Sequence, residues 1–355
     1  MLIIKMSENL DIVIDLWNQH YQELAAAFRL KIERTQRKEL GQYRLLYNDE
    51  APHTPSPITG TAFSNFEDTA EFFNTQDTNT VLCWIDFDNE EIMKEKPSEE
   101  SKEICDEEVE DSLHPLFINP VPWTTGHVYL SLFPDEHLPQ AISTELLTLA
   151  LNTFRLFRGT SMRLGYDSLG ANTDTNHLHF DVIFLNEIGL SQFPIEKSPK
   201  TLLLESTLQH KDVDEINMFT VGVRLFQVEY PAKCLVITPN QEVSDAAVSE
   251  ASESIGNVAG MVVNYFIENN IPHSIMMSGN GLELYIFPRN FQSAFEIGKA
   301  SFLDLSGVGC TYERTVFDNL TGPEFEDYLK ALSCDNETWR KMSSYIQNLL
   351  SSLYF

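Results

Sequence analysis

The stretch NHLHFDVIFL, residues 176–185, alternates polar and apolar side chains. Successive side chains of an extended chain point to opposite faces, so His177, His179 and Asp181 share one face. The other face is fully apolar and consists of Leu178, Phe180, Val182 and Phe184. The pattern predicts a strand with a buried back and a front that carries two imidazoles and a carboxylate.

Three kinds of site fit two imidazoles and a carboxylate in this order. The first is the plain polar face of an antiparallel sheet. The second is a metal site, because imidazole and carboxylate ligands suit zinc or iron(II), with His177, His179 and Asp181 as ligands. The third is nucleophilic catalysis, in which a neutral imidazole attacks an electrophilic phosphorus. The spacing alone leaves all three open.

A short glycine-containing loop, GYDSLG, precedes this stretch. Gly165 and Gly170 flank Ser168, and such a loop can point backbone N–H groups at a phosphate without a side-chain cation. Loops of this composition are usually plain turns. Beside two histidines on one face, the loop favours the phosphorus chemistry over the other two interpretations.

The composition is that of a globular chain, and it restricts the partners. The sequence has 355 residues, 43% hydrophobic residues and a formal net charge of -29. This charge disfavours nucleic acid and anionic membranes as partners. No run of about 18 apolar residues and no basic start before an apolar segment is present, so we expect a cytosolic protein. Five scattered cysteines without a CxxC pair argue against a disulfide framework and a structural zinc site.

Much of the acidity lies in one segment. Residues 86–111 contain 13 Asp and Glu against 3 Lys. Few aromatic residues and many like charges predict a solvated insertion or a disordered loop there.

The remaining pattern predicts an α+β protein. Helical spacing of apolar residues predicts helices over 9–30, 138–157 and 248–270, and two closing helices follow residue 321. Strand patterns surround the middle helices, and IPHSIMMSGNGLELYIFP, residues 271–288, predicts a β-hairpin. FLDLSGV, residues 302–308, is interpreted as one more strand. This order predicts antiparallel sheet with helices packed on one face.

Several stretches of the sequence together resemble a known family. RLGYDSLGANTDTNHLHFDVIFL and QFPIEKSP, together with INPVPWTTGHVYLSLFP and HLPQ, are similar to the GDP-hexose phosphorylases of the histidine-triad superfamily. This group contains GDP-D-glucose and GDP-L-galactose phosphorylases. The likeness is closest over 118–200, is looser elsewhere and leaves out 86–111. It implies histidine-triad-like antiparallel sheets with packed helices, in two halves that we place at 1–200 and 201–355.

The resemblance also implies a mechanism and its residues. His179 would attack the α-phosphorus of a GDP-hexose, release hexose 1-phosphate and become guanylylated. Inorganic phosphate would then accept the GMP group and give GDP, with GDP-D-glucose as the favoured substrate. No metal or other cofactor is required. The residues implied to bind the nucleotide and its phosphates are His177, Asn176, Ser168, Gly170, Asp181, Asp167, Arg163 and Lys197. The family analogy also suggests a homodimer.

Several positions depart from the family's pattern. Asp181 stands where the superfamily has His or Gln, and Asp167 where Asn is more frequent. An ionised carboxylate only accepts hydrogen bonds, so Asp181 is expected to weaken phosphate binding. DEH follows Pro134 where the family tends to have a basic residue, and Val308 replaces a usual His. These departures leave a second interpretation, a catalytically weak relative that binds a guanine nucleotide or a protein partner.

Overall fold

The computed structural model describes most of the chain. It covers residues 2–24, 32–49, 60–64, 81–87, 91–95, 113–119, 121–157, 160–171, 173, 175–206, 221–291 and 300–354. Within these ranges the helices are α1 (Leu2–Leu24), α2 (Thr144–Asn152), α3 (Val248–Glu268), α4 (Phe302–Ser306), α5 (Arg314–Asn319), α6 (Gly322–Leu332) and α7 (Asn336–Tyr354). None of the described helices is long and apolar enough to cross a membrane.

The described strands form two sheets. They are β1 (Gln36–Leu40), β2 (Tyr43–Tyr47), β3 (Val81–Asp86), β4 (Glu91–Met93), β5 (Leu113–Ile118), β6 (Val128–Leu130), β7 (Met162–Asp167), β8 (Phe180–Phe184), β9 (Lys200–Glu205), β10 (Val223–Val228), β11 (Leu235–Pro239), β12 (His273–Ser278), β13 (Glu283–Pro288) and β14 (Val308–Thr311). The small sheet has the order β1-β2-β14 and pairs β14 parallel to β2. The large sheet has the order β4-β3-β5-β6-β8-β7-β12-β13-β11-β10-β9, and all its neighbours are antiparallel.

The large sheet contains the same arrangement twice. The chain runs β5-β6-α2-β7-β8 in one half and β10-β11-α3-β12-β13 in the other. Outward from the central pair, the strands follow as β7-β8-β6-β5 on one side and β12-β13-β11-β10 on the other. The two halves therefore share one topology and form one continuous sheet through the pairing of β7 with β12.

Alternation along β8 separates the two faces of this sheet, as the sequence predicts. The back face carries Leu178, Phe180, Val182 and Phe184, which are buried in one core with residues of α1, α2 and α3. The front face carries Asp181 and Ile183, and Ile183 is buried in a second core with the small sheet and α4 to α6. The regular strand begins only at Phe180, so His177 and His179 lie directly before β8 rather than inside it.

Two predictions about local structure are wrong. Residues 302–306 form helix α4, because Ser301 caps it and Asp304 accepts hydrogen bonds from the Ser301 backbone N–H and hydroxyl. Within the acidic segment, Ile92 and Met93 belong to β4 and pair with β3, so this part is not a loop. Residues 88–90 and 96–111 of that segment lie outside the described residues.

Four cysteines lie in buried positions: Cys83, Cys234, Cys310 and Cys334. Cys105 lies outside the described residues.

Candidate active site

His179 is held in one tautomer. Its Nδ1 lies 2.8 Å from the carbonyl oxygen of His177. A carbonyl oxygen only accepts hydrogen bonds, so Nδ1 carries the hydrogen and Nε2 carries the lone pair. The ring packs edge-on to Tyr129 with 5.0 Å between the ring centroids, and the residue is buried. A neutral imidazole fixed in this way can attack an electrophile through Nε2.

The backbone of His179 is held by the side chain of Gln140. The Gln140 amide oxygen accepts the His179 N–H at 3.0 Å, and its Nε2 donates to the His179 carbonyl at 3.3 Å. The same Nε2 donates to the carbonyl of Asp167 at 3.0 Å, and the hydroxyl of Tyr166 donates to the Gln140 carbonyl. Gln140 therefore joins the segment before α2 to both β7 and His179.

Asp181 is paired with His127, which comes from the segment directly before β6. The Oδ1 atom of Asp181 lies 2.8 Å from His127 Nε2 and 3.3 Å from Asn119 Nδ2. His127 Nδ1 accepts the backbone N–H of Trp123 at 3.2 Å, so Nε2 carries the hydrogen and donates to Asp181. The register explains this pairing, because Tyr129 of β6 lies opposite Asp181 of β8. The carboxylate thus has two donors on one oxygen.

His177 is a neutral side chain next to His179. Burial, together with the charges of His179 and His137, lowers its pKa to about 4. The ring of His137 lies 6.1 Å from that of His177, centroid to centroid. His137 adopts a left-handed backbone with φ of 51°, which is uncommon for a residue other than glycine. The turn after Pro134 thereby adds a further imidazole beside the histidine pair.

The predicted phosphate-binding loop lies beside the histidines, and its polar groups have defined partners. Ser168 is buried; its backbone N–H donates to the carbonyl of His273, and its hydroxyl accepts the His273 N–H. Gly170 has φ of 74°, and a Cβ there would lie 2.7 Å from the carbonyl oxygen of Thr61. Asn176 accepts the N–H of Gln140 and donates to the carbonyl of Ser64. These residues fix the loop, and their contacts with a phosphate stay predictions.

Of three other residues predicted to bind the phosphates, two form ion pairs or hydrogen bonds within the protein and one is exposed. Arg163 forms a buried two-pronged ion pair with Glu196, with N–O distances of 3.1 and 2.8 Å. Lys197 is exposed at the end of the turn 194–197. Asp167 accepts hydrogen bonds from the hydroxyl of Ser274 and from the N–H of Phe302, and it pairs with Arg289. Burial raises the pKa of Asp167.

The metal-site interpretation finds no matching geometry in the described part of the chain. No group of three or more His, Cys, Asp or Glu side chains there is arranged to hold a metal ion. Asp181 is instead hydrogen-bonded to His127, and His179 to a backbone carbonyl.

Sequence reasoning assigned no role to three residues of this site. Asn119, His127 and Gln140 lie inside the stretches that carry the family resemblance, but their partners are distant in sequence: His127 and Asp181 are 54 positions apart. Only the strand pairing brings them together. The one available signal was a polar side chain beside otherwise apolar strands, and a polar residue type does not indicate which residue it will contact.

Comparison with family models matches this chain twice. Residues 60–183 match the model described as GDPGP1-like, N-terminal domain, and residues 207–353 match the model described as GDPGP1-like, C-terminal domain. GDP-L-galactose phosphorylase 2 of Arabidopsis thaliana is 32% identical over 187 residues, which are 52% of this chain and 37% of that protein. GDP-D-glucose phosphorylase 1 of Danio rerio is 24% identical over 245 residues, which are 66% of this chain and 65% of that protein.

Solved structures confirm the fold. Yeast Ap4A phosphorylase Apa2 in complex with Ap4A aligns with a TM-score of 0.55 at 13% identity, over 91% of this chain and 97% of that one. A second structure of yeast Ap4A phosphorylase Apa2 aligns with a TM-score of 0.56 at 13% identity, over 90% of this chain and 96% of that one. The predicted α+β, histidine-triad-like fold is therefore confirmed. Since the two family models together span most of the sequence, the chain belongs to the GDPGP1-like family.

Proposed function

We propose that this chain is a GDP-hexose phosphorylase that forms a guanylyl-histidine intermediate on His179. The observation that carries the proposal is the hydrogen bond from His179 Nδ1 to the carbonyl of His177, which places the lone pair on Nε2. The matched relatives support the substrate class, because they are GDP-L-galactose and GDP-D-glucose phosphorylases. The chain matches only 37% of the Arabidopsis protein and 65% of the Danio protein, so the substrate of this chain is part of the proposal.

The reaction takes place in two displacements. His179 Nε2 attacks the α-phosphorus of the GDP-hexose, and the bond from that phosphorus to the bridging oxygen breaks, which releases hexose 1-phosphate. An oxygen of inorganic phosphate then attacks the same phosphorus, the P–N bond breaks and GDP leaves. Splitting one transfer into two steps on a fixed nucleophile is covalent catalysis.

The surrounding residues have roles within this proposal. His177, Asn176, Ser168 and Gly170 line the segment that leads to His179 and are proposed to hold the α-phosphate. Neutral His177 donates a hydrogen bond without the cost of a buried cation. Arg163 and Lys197 remain candidates for the outer phosphate and the second substrate. GDP-D-glucose is the favoured sugar nucleotide.

The test is a turnover assay with GDP-D-glucose and GDP-L-galactose, each with and without inorganic phosphate. We expect GDP and hexose 1-phosphate to form when phosphate is present, and we expect a His179→Ala variant to form neither. Equal turnover by wild type and His179→Ala would contradict the proposal.

A second candidate function has one observation in its favour. Asp181 places a carboxylate two residues from His179, where it opposes the binding of an anionic phosphate. A chain retained only for nucleotide binding would bind GDP without turning over either GDP-hexose. Calorimetric titration with GDP beside the turnover assay distinguishes this function from the phosphorylase.

A further inference from the structure

Asp181 uses one carboxylate oxygen to accept hydrogen bonds from the protein. Its Oδ1 accepts hydrogen bonds from His127 Nε2 and Asn119 Nδ2. Among the described residues no hydrogen bond reaches Oδ2, and the side chain is 20% exposed. His127 itself is buried and fixed through Trp123, so the carboxylate has a defined orientation. Oδ2 is thus an oriented acceptor on a partly exposed side chain.

This acceptor stands close to the nucleophile. His179 directly precedes β8, and Asp181 lies within it two residues further on. In an extended chain this separation is roughly 6 to 7 Å between the Cα atoms. Tyr129 lies opposite Asp181 in the strand register and its ring packs against the ring of His179, so the side chains of His179 and Asp181 both lie beside Tyr129.

The two acceptors of a guanylyl group differ in what they need. Inorganic phosphate already carries negative charge on its attacking oxygen at neutral pH, needs no base and is repelled by a carboxylate. Water is neutral and becomes a good nucleophile only when a base removes its proton. A carboxylate at this position therefore slows transfer to phosphate and speeds transfer to water, whereas an amide or imidazole donor does the opposite.

We propose that Asp181 is the general base by which this chain also transfers the guanylyl group from His179 to water. The inference rests on the proposed function, since it begins from the guanylyl-histidine. A water oxygen attacks the phosphorus, its proton passes to Asp181 Oδ2, the P–N bond breaks and the electron pair returns to His179 Nε2. The product is GMP, and Asp181 then releases its proton to solvent. His127 and Asn119 are positioning residues that orient the carboxylate.

The decisive variant is Asp181→Asn. Its oxygen can accept from His127 and Asn119 as Asp181 Oδ1 does, while its amide nitrogen takes the place of Oδ2. The matched control is Asp327→Asn, an exposed carboxylate on α6 that changes the net charge equally. Each protein is incubated with the GDP-hexose that it turns over, in ¹⁸O-labelled water, with and without phosphate. GMP, GDP and the label in GMP are measured.

We expect wild type and Asp327→Asn to release GMP that carries one ¹⁸O when phosphate is absent. In Asp181→Asn this release should fall about 100-fold, the usual contribution of a general base. Formation of GDP with phosphate should rise several-fold, because a donor replaces the repelling oxygen.

Two results would overturn the inference and leave the proposed function intact. One is phosphate-dependent GDP formation by wild type without any GMP when phosphate is absent. The other is an unchanged ratio of GMP to GDP in Asp181→Asn. If wild type turns over no GDP-hexose in either condition, the proposed function itself fails and the inference fails with it. Should Asp181→Asn fail to fold, Asn119→Ala, which removes one of the two donors that orient the carboxylate, should also lower the ratio of GMP to GDP, and an unchanged ratio would overturn the inference.

Discussion

Gln140 determines where the backbone of His179 lies, although the two residues are 39 positions apart. Its amide contacts both the N–H and the carbonyl of His179, and a third hydrogen bond reaches the carbonyl of Asp167. The proposed nucleophile is therefore positioned by the side chain of a residue on another segment. Together with the carbonyl of His177, this contact fixes both the position and the tautomer of the imidazole.

Replacing Gln140 with Ala should lower kcat by at least about tenfold, because even a shift of 1 Å in a reacting group can cost about 100-fold. It should also lower the free energy of unfolding by about 1 to 3 kcal/mol, since the buried N–H of His179 loses its acceptor. The measurements are phosphorolysis kinetics and denaturant unfolding. Gln140→Glu keeps the acceptor but sets a buried carboxylate oxygen against the carbonyl oxygens of Asp167 and His179, so a loss at least as large is expected. A stable Gln140→Ala variant with full kcat would refute this role.

At the scale of elements, α2 and α3 cross at two glycines and join the halves behind the sheet. A Cβ at Gly256 would lie 2.3 Å from Thr148 Oγ1, and one at Gly260 would lie 2.0 Å from Thr144 Oγ1. Both glycines lie on the buried face of α3. The close approach of the two helices therefore depends on the absence of side chains at these positions.

Gly260→Ala should reduce the free energy of unfolding by about 1 to 3 kcal/mol, because the added methyl group overpacks the crossing. Removing the opposing hydroxyl with Thr144→Ala in the same chain should restore part of the loss. Denaturant unfolding of the two single variants and the double variant measures the coupling between the positions. If the changes in unfolding free energy of Gly260→Ala and Thr144→Ala simply add in the double variant, the added methyl group does not clash with the Thr144 side chain.

The elements could be predicted from the sequence where the pattern is local. The apolar back of β8, the hairpin of β12 and β13, and helices α1, α3, α6 and α7 follow from periodicity and turn residues. Helix α4 was mistaken for a strand because five residues are too few to show a helical period, and its capping by Ser301 was overlooked. Strands β1, β2, β9, β10 and β11 were not predicted. Strand β1 pairs with its sequence neighbour β2, and β10 with its sequence neighbour β11, so distance along the chain does not explain these omissions.

The candidate site was predictable only in part. The alternation around β8 placed His179 and Asp181 on one face, and the structure agrees with that placement. The pairing of Asp181 with His127, and of His179 with Gln140, depends on which strands and loops become neighbours. A polar residue in one segment carries no local mark of a partner in another.

At the scale of the whole molecule, charged and titratable groups are buried where the halves meet. Asp167 of β7 and Arg289, just after β13, form a buried ion pair that also includes Ser274 of β12. Burying such a pair costs solvation energy, and removing one partner leaves the other charge uncompensated. The neighbouring His273 is also buried, with its Nδ1 hydrogen-bonded to the carbonyl of Ile271. The junction thus links stability to pH.

Acidification should destabilise the protein through its buried histidines. Burial lowers the pKa values of His114, His177 and His273 to about 4. Below the ordinary value of 6.5 the unfolded chain binds a proton at each of them, while the folded chain does so only near pH 4. Stability is therefore complete above pH 6.5 and is lost as the pH falls towards 4, at about 1.4 kcal/mol per pH unit for each histidine.

His273→Phe isolates one of these contributions. Other groups titrate in the same range in both proteins, so the quantity to compare is the difference in the free energy of unfolding between wild type and variant at pH 7, 6, 5 and 4.5. The wild type should lose stability faster than the variant on acidification, by about 1.4 kcal/mol per pH unit below 6.5. Parallel curves would mean that His273 binds its proton equally well in the folded and unfolded chains.

The central claim is that His179 carries the transferred nucleotide, and the most direct measurement is to trap that species. Protein mixed rapidly with GDP-hexose in the absence of phosphate is quenched with alkaline denaturant, because P–N bonds are labile in acid, and is then weighed intact and mapped by peptide mass spectrometry. The account predicts a GMP adduct on His179 that disappears when phosphate is added before the quench and never forms in His179→Ala. Turnover of the GDP-hexose with no adduct, or with an adduct on another residue, would contradict it.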